Sequence, residues 1–79
     1  MPAPPCTLDR HFARWLRERR GDETYAELSR VTKVPISTLH RLEMGQQSIT
    51  LRLLEQILRR LRADPADVFP PNWQRAPED

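Results

Sequence analysis

The sequence predicts one small all-α domain, a compact bundle of five short helices. Three observations lead there. Apolar residues recur at helical spacing in several segments, and no segment alternates as a strand would. Gly21 and Gly45, the only glycines, fall where two of those segments stop. Six of the eight prolines (Pro2, Pro4, Pro5, Pro70, Pro71 and Pro77) lie near the ends and bracket a proline-poor middle. Residues 1–6 are therefore expected to form an irregular proline-rich tail, 7–69 the folded domain, and 70–79 a second proline-rich tail. A chain of 79 residues can hold one hydrophobic core.

The first helix is expected from about Leu8 to Arg20. Leu8, Phe12, Trp15 and Leu16 share one face, Thr7 can cap the start, and Arg19 and Arg20 complement the dipole before Gly21. The second helix opens at Thr24. Thr24-Tyr25-Ala26-Glu27 is a capping box, in which the hydroxyl takes the third amide and the carboxylate reaches back to the cap. Ala26, Leu28 and Val31 form its apolar side, and it ends near Thr32. A third helix starts around Pro35, whose missing N–H is harmless in a first turn, with Leu39 and Leu42 facing inward. Thr50 caps the fourth helix, and Ile49 can staple onto Leu54. Leu51, Leu54, Ile57, Leu58 and Leu61 give that helix a wide apolar stripe. Asp64-Pro65-Ala66-Asp67 begins a last short turn, and Val68 and Phe69 close over the core.

Net charge is +2, but its distribution is uneven. Arg10, Arg14, Arg17, Arg19 and Arg20 crowd the first helix, and Arg52, Arg59, Arg60 and Arg62 the fourth, while the end of the chain is acidic by comparison. Basic clusters of this kind either serve a polyanion or are solvated helix faces. Cys6 is the lone cysteine, which excludes an intrachain disulfide and suits a cytoplasmic protein. The first residues lack the basic and apolar regions of a secretory signal, and no apolar run is long enough for a membrane span. Cys6, His11 and His40 have no zinc spacing, so no metal and no cofactor are expected. Glycine-rich phosphate loops and nucleophile elbows are absent as well, and no enzymatic activity is expected.

The second and third helices are short and joined by only a few residues. In such an αα unit the second helix can enter the major groove of double-stranded DNA. The segment from Thr24 to Gly45 resembles the Cro/cI-type (XRE) helix-turn-helix family. Leu28 followed by Ser29, then Val34, Leu39, Leu42 and the closing Leu42-Glu43-x-Gly45 carry the resemblance. Ile49-Thr50-Leu51, Leu54, Ile57, Leu61 and Val68-Phe69 extend it to about Phe12–Phe69. It implies a lambda-repressor-like bundle. It also implies an ion pair between Glu43 and an arginine of the first helix, with Arg17 as the candidate. The family usually has glycine where this chain has Lys33; a left-handed Lys33 would carry roughly 1 kcal/mol of strain.

By position in the motif, Ile36, Ser37, Thr38 and Arg41 face the bases, and Arg41 alone can make a bidentate contact to guanine. Ile36 either touches a thymine methyl or belongs to the core. Phosphate contacts are assigned to Tyr25, His40, Gln46, Gln47, Ser48 and Arg52. Phe69 and Trp73 flank a proline pair. Trp73 either folds back on its own chain or contacts a second copy, and a dimer contact is favoured because two half-sites give usable specificity. The resemblance thus implies a homodimeric autorepressor on a palindromic operator of a phage, plasmid or defence-linked operon. Two alternatives remain: an antitoxin whose tails bind a toxin, and a protein-interaction module without DNA binding.

Overall fold

The computed structural model describes residues 5–73. Five helices follow one another: α1 (Thr7–Arg20), α2 (Tyr25–Thr32), α3 (Ile36–Glu43), α4 (Leu51–Leu61) and α5 (Pro65–Val68). Among the described residues there is no strand, no helix long and apolar enough to cross a membrane, and no group of three or more residues suited to a metal ion.

The cap of α1 is Cys6, not Thr7. Asp9 stands three residues after Cys6 and takes its amide at 3.0 Å, which draws Thr7 into the first turn. The inward stripe is also rotated from the expected one. Asp9, Phe12, Ala13 and Leu16 are buried, whereas Leu8 is exposed. These four positions fall at i, i+3, i+4 and i+7, and Leu8 lies off that face.

On α2 the capping box forms as read: Thr24 Oγ1 accepts from the Glu27 amide at 3.1 Å, and Glu27 Oε1 from the Thr24 amide at 2.9 Å. Leu28 and Thr32 are the buried residues, and Ala26 and Val31 face solvent. The expected apolar side was therefore too broad. A helix this short packs through Tyr25, Leu28, Ser29 and Thr32, a single narrow stripe.

Thr50 Oγ1 caps α4 by accepting from the Leu53 amide at 3.1 Å. Ile57 and Leu58 are buried and Leu53, Leu54 and Leu61 partly so, but Leu51 is 83% exposed. Leu51 stands at the edge of the stripe, so burial begins only at Leu53–Leu54. The core comprises Phe12, Leu16, Leu28, Val34, Leu39, Leu42, Ile57, Leu58 and Val68, with Ile49 and Leu54 against it. Each fully buried Leu, Ile or Phe contributes roughly 1.5–3 kcal/mol.

Trp73 packs on one side against its own chain. Its ring lies 5.1 Å from His11 and 5.5 Å from Phe69, centroid to centroid, and His11 lies 5.4 Å from Phe69. His11 Nε2–H donates to the Val68 carbonyl. The folded part therefore continues past Phe69 to Trp73, because three rings are better shielded together than apart. Residues 1–4 and 74–79 of the expected tails lie outside the described residues.

Candidate nucleic-acid interface

α2 and α3 meet at a turn that its own side chains hold closed. Lys33 ends α2 in the left-handed conformation, φ 64° and ψ 28°, in the position where the strain was anticipated. Thr32 Oγ1 donates to the Leu28 carbonyl and accepts from the Val34 amide. Ser29 Oγ donates to the Val34 carbonyl at 2.6 Å. From α4, Gln56 Nε2 donates to the carbonyls of Thr32 and Lys33 at 2.9 and 3.2 Å. These are orphan carbonyls of a helix end, which need a donor from elsewhere. Pro35 is the cap of α3, so the helix begins at Ile36, one position later than expected.

α3 is fixed at its other end by a buried carboxylate. Glu43 is 2% exposed. Its Oε2 accepts from Arg20 Nε at 2.8 Å, and its Oε1 from Arg20 Nη2 and the Tyr25 hydroxyl, each at 3.0 Å. The ion-pair partner is thus Arg20, and the Arg17 assignment is corrected. Arg17 Nη2 instead donates to the main-chain carbonyl of Glu43 at 2.9 Å. The two arginines stand three apart on α1. Arg20 is the one that reaches around the end of α3, with its guanidinium over the Tyr25 ring at 4.3 Å. The hydrogen bond to Glu43 holds the Arg20 pKa above its ordinary value. Burial, then Glu43, pushes the Tyr25 phenol up, so the hydroxyl keeps the proton it donates.

After α3 the chain turns at Gly45, φ 69°. The Gln46 amide donates to the Arg41 carbonyl at 2.8 Å and the Gly45 amide to the Leu42 carbonyl, a glycine-based helix stop. A second buried carboxylate then catches the loop. Asp9 accepts from Ser48 Oγ at 2.7 Å, the Ile49 amide at 2.8 Å, and both the amide and thiol of Cys6. Burial alone would raise the Asp9 pKa, but these donors together hold it below the ordinary carboxylate value.

What remains outward is the face of α3 carrying Ile36, Ser37, His40 and Arg41, all exposed, with Thr38 half-buried at its edge. Ile36 is 48% exposed, which sets the core alternative aside. Gln46 and Arg52 are also exposed, and the His40 ring meets Tyr25 edge-on at 5.5 Å. Two of the expected phosphate donors are engaged inside the protein. The Tyr25 hydroxyl hydrogen goes to Glu43, and that of Ser48 goes to Asp9. Gln47 Oε1 accepts from Arg41 Nε at 2.7 Å.

Three residues that organise the site were not singled out as such from the sequence. Asp9 carried a signal, a carboxylate three residues after the first non-helical position. Arg20 could not be told from Arg17 by spacing. Gln56 left no signal, since only the packing of α4 on α2 brings it to the turn.

The chain matches a family described as a helix-turn-helix domain, over residues 10–68. Its structure is similar to the crystal structure of the clp gene regulator ClgR from C. glutamicum, with a TM-score of 0.68 and 32% sequence identity. That match covers 84% of this chain and 87% of the other. No curated protein matches the chain.

Proposed function

The chain belongs to the helix-turn-helix family, and from that premise we propose that it is a DNA-binding transcriptional regulator that places α3 in the major groove of a palindromic operator, acts as a homodimer and represses its own operon. The observation that carries this is the division of α3. Leu39, Leu42 and Glu43 anchor it, while Ile36, Ser37 and Arg41 stand outward on a backbone fixed at both ends. A rigid helix whose outward side chains stay exposed suits base readout, since side chains must meet base edges to within hydrogen-bond tolerance. The likeness to a gene regulator supports the regulatory role.

In this reading Ile36, Ser37, Thr38 and Arg41 meet the bases, and His40, Gln46 and Arg52 approach phosphates. The homodimer rests on the short reach of one recognition helix, which covers only a few base pairs. Its contact is assigned to the partly exposed rims of Phe69 and Trp73.

Selection from a random duplex pool tests the function. An enriched inverted repeat with half-sites about one helical turn apart is the expected result, and a pool with no enrichment overturns it. Arg41→Ala should reduce discrimination at one position per half-site by about 1–3 kcal/mol. Sedimentation of Trp73→Ala tests the assembly. A weakened dimer is expected. An intact dimer would move the contact elsewhere, and a monomeric parent would remove the homodimer.

A further inference from the structure

Arg41 is the one side chain on the outer face of α3 suited to reading guanine, yet an arginine with several rotatable bonds is by itself a poor reader. Without a support it can reach a phosphate as readily as a base, and holding it still carries roughly 2 kcal/mol of rotamer entropy. The structure supplies that support. Gln47 Oε1 accepts from Arg41 Nε at 2.7 Å, and Thr38 Oγ1 lies 3.5 Å from Nη2, at the outer limit of a hydrogen bond. Gln47 thus takes Nε, and Thr38 lies nearest Nη2. Nη1 makes no hydrogen bond to the described residues, so the terminal fork that it forms with Nη2 is free apart from the long Thr38 contact. A bidentate contact to O6 and N7 of guanine needs one such fork of parallel N–H groups.

Gln47 is itself well held. On one side the Gln46 amide donates to the carbonyl of Arg41, the very residue whose side chain Gln47 meets. On the other, Ser48 Oγ and the Ile49 amide both donate to buried Asp9. Gln47 is half-buried between these two anchors. The loop behind the recognition helix thus grips Arg41 by its main chain and its side chain together.

We infer that Gln47 is a positioning residue for base recognition: it holds Arg41 so that the outer fork of the guanidinium is presented to a guanine, and specificity at that base pair depends on it. This rests on the DNA-reading function proposed above. It also replaces the simpler assignment of Gln47 as a phosphate contact. The two differ in consequence. A phosphate contact adds affinity to every sequence alike, whereas a support for Arg41 adds it only where guanine stands opposite.

The test compares the parent protein with Gln47→Leu, Gln47→Glu and Arg41→Ala, titrated against the selected operator and against operators substituted at each position. The parent should prefer guanine at one position per half-site, and Arg41→Ala should lose that preference. Gln47→Leu should cut it by about tenfold, within the range of one bidentate pair, with little change on the site that lacks the guanine. Gln47→Glu keeps an acceptor for Nε, so it should retain the preference while its charge weakens binding to all sequences. An even loss across sequences in Gln47→Leu, or an undiminished guanine preference, would overturn the inference and leave the functional reading standing. A parent that selects no sequence would remove both. A second measurement needs neither DNA nor a variant. The Arg41 Nε–H of the free parent protein should exchange slowly with water by NMR, and exchange as fast as that of Arg30 or Arg52 would overturn the contact itself.

Discussion

Along α3 the inner side keeps Leu39, Leu42 and Glu43 out of water, whereas Ile36, Ser37, His40 and Arg41 face it. The two sides also treat polar groups differently. Inside, the Glu43 carboxylate has three donors, and no buried side-chain polar atom among the described residues lacks a partner. Outside, Arg41 is held through Nε, while its Nη1 makes no hydrogen bond to the described residues. The contrast teaches where the rigidity of a small reading helix comes from. An eight-residue helix is marginal by itself, so its geometry must be imposed from behind by Arg20, Tyr25, Gln56 and Asp9. The face that meets a ligand can then vary without loss of the fold.

Substitutions should separate the two sides, and the largest effect belongs to the inner one. Glu43→Ala should lower stability by about 2–3 kcal/mol. That is below the usual figure for breaking a buried pair, because Arg20 is 19% exposed and can regain water. Chemical denaturation checks this. A double-mutant cycle should show strong coupling of Glu43 to Arg20, and little to Arg17, which bonds only the main chain.

Asp9→Ala should lower stability by about 1–2 kcal/mol, since it strands the Ile49 amide and the Ser48 hydroxyl. The carboxyl has a lower pKa in the folded protein than its ordinary value. Its ionised form therefore contributes stability that is present above about pH 4. This contribution fades as the pH falls through the lower folded value. Thermal melts between neutral pH and about pH 3 should show that acid-side loss in the parent. The loss should be smaller in Asp9→Ala.

Lys33→Gly should act in the opposite direction and raise stability by about 0.5–1 kcal/mol. It removes the left-handed strain at the turn and keeps the main-chain carbonyl that Gln56 holds. A higher melting temperature checks it, and an unchanged or lower one would show the turn to be unstrained.

The smallest effect on stability belongs to the outer face. Arg41→Ala should change the melting temperature hardly at all, corresponding to less than about 0.5 kcal/mol. Its consequence should appear in base preference alone. A large destabilisation there would break the distinction between the two sides of α3.

Local chemistry, legible in the sequence alone, determined the number of helices and most of their ends. Capping at Thr24 and Thr50, the stop at Gly45 and the short turn after Asp64 each depend on residues within a few positions of one another, so spacing suffices to find them. The outward set Ile36, Ser37 and Arg41 was legible too, through the resemblance and through the inward positions of Leu39 and Leu42. Tertiary packing alone decided the partners. Arg20 and not Arg17 meets the Glu43 side chain, Gln56 holds the turn, Asp9 catches the loop at Ser48 and Ile49, and Trp73 folds onto His11. The apolar stripes narrowed for the same reason, leaving Leu8, Val31 and Leu51 in water. Periodicity shows which residues share a helix face, but the crossing of two helices decides which part of that face is covered. Likewise, which of several equally long side chains reaches a buried charge depends on where the other helix ends, and no local spacing carries that distance.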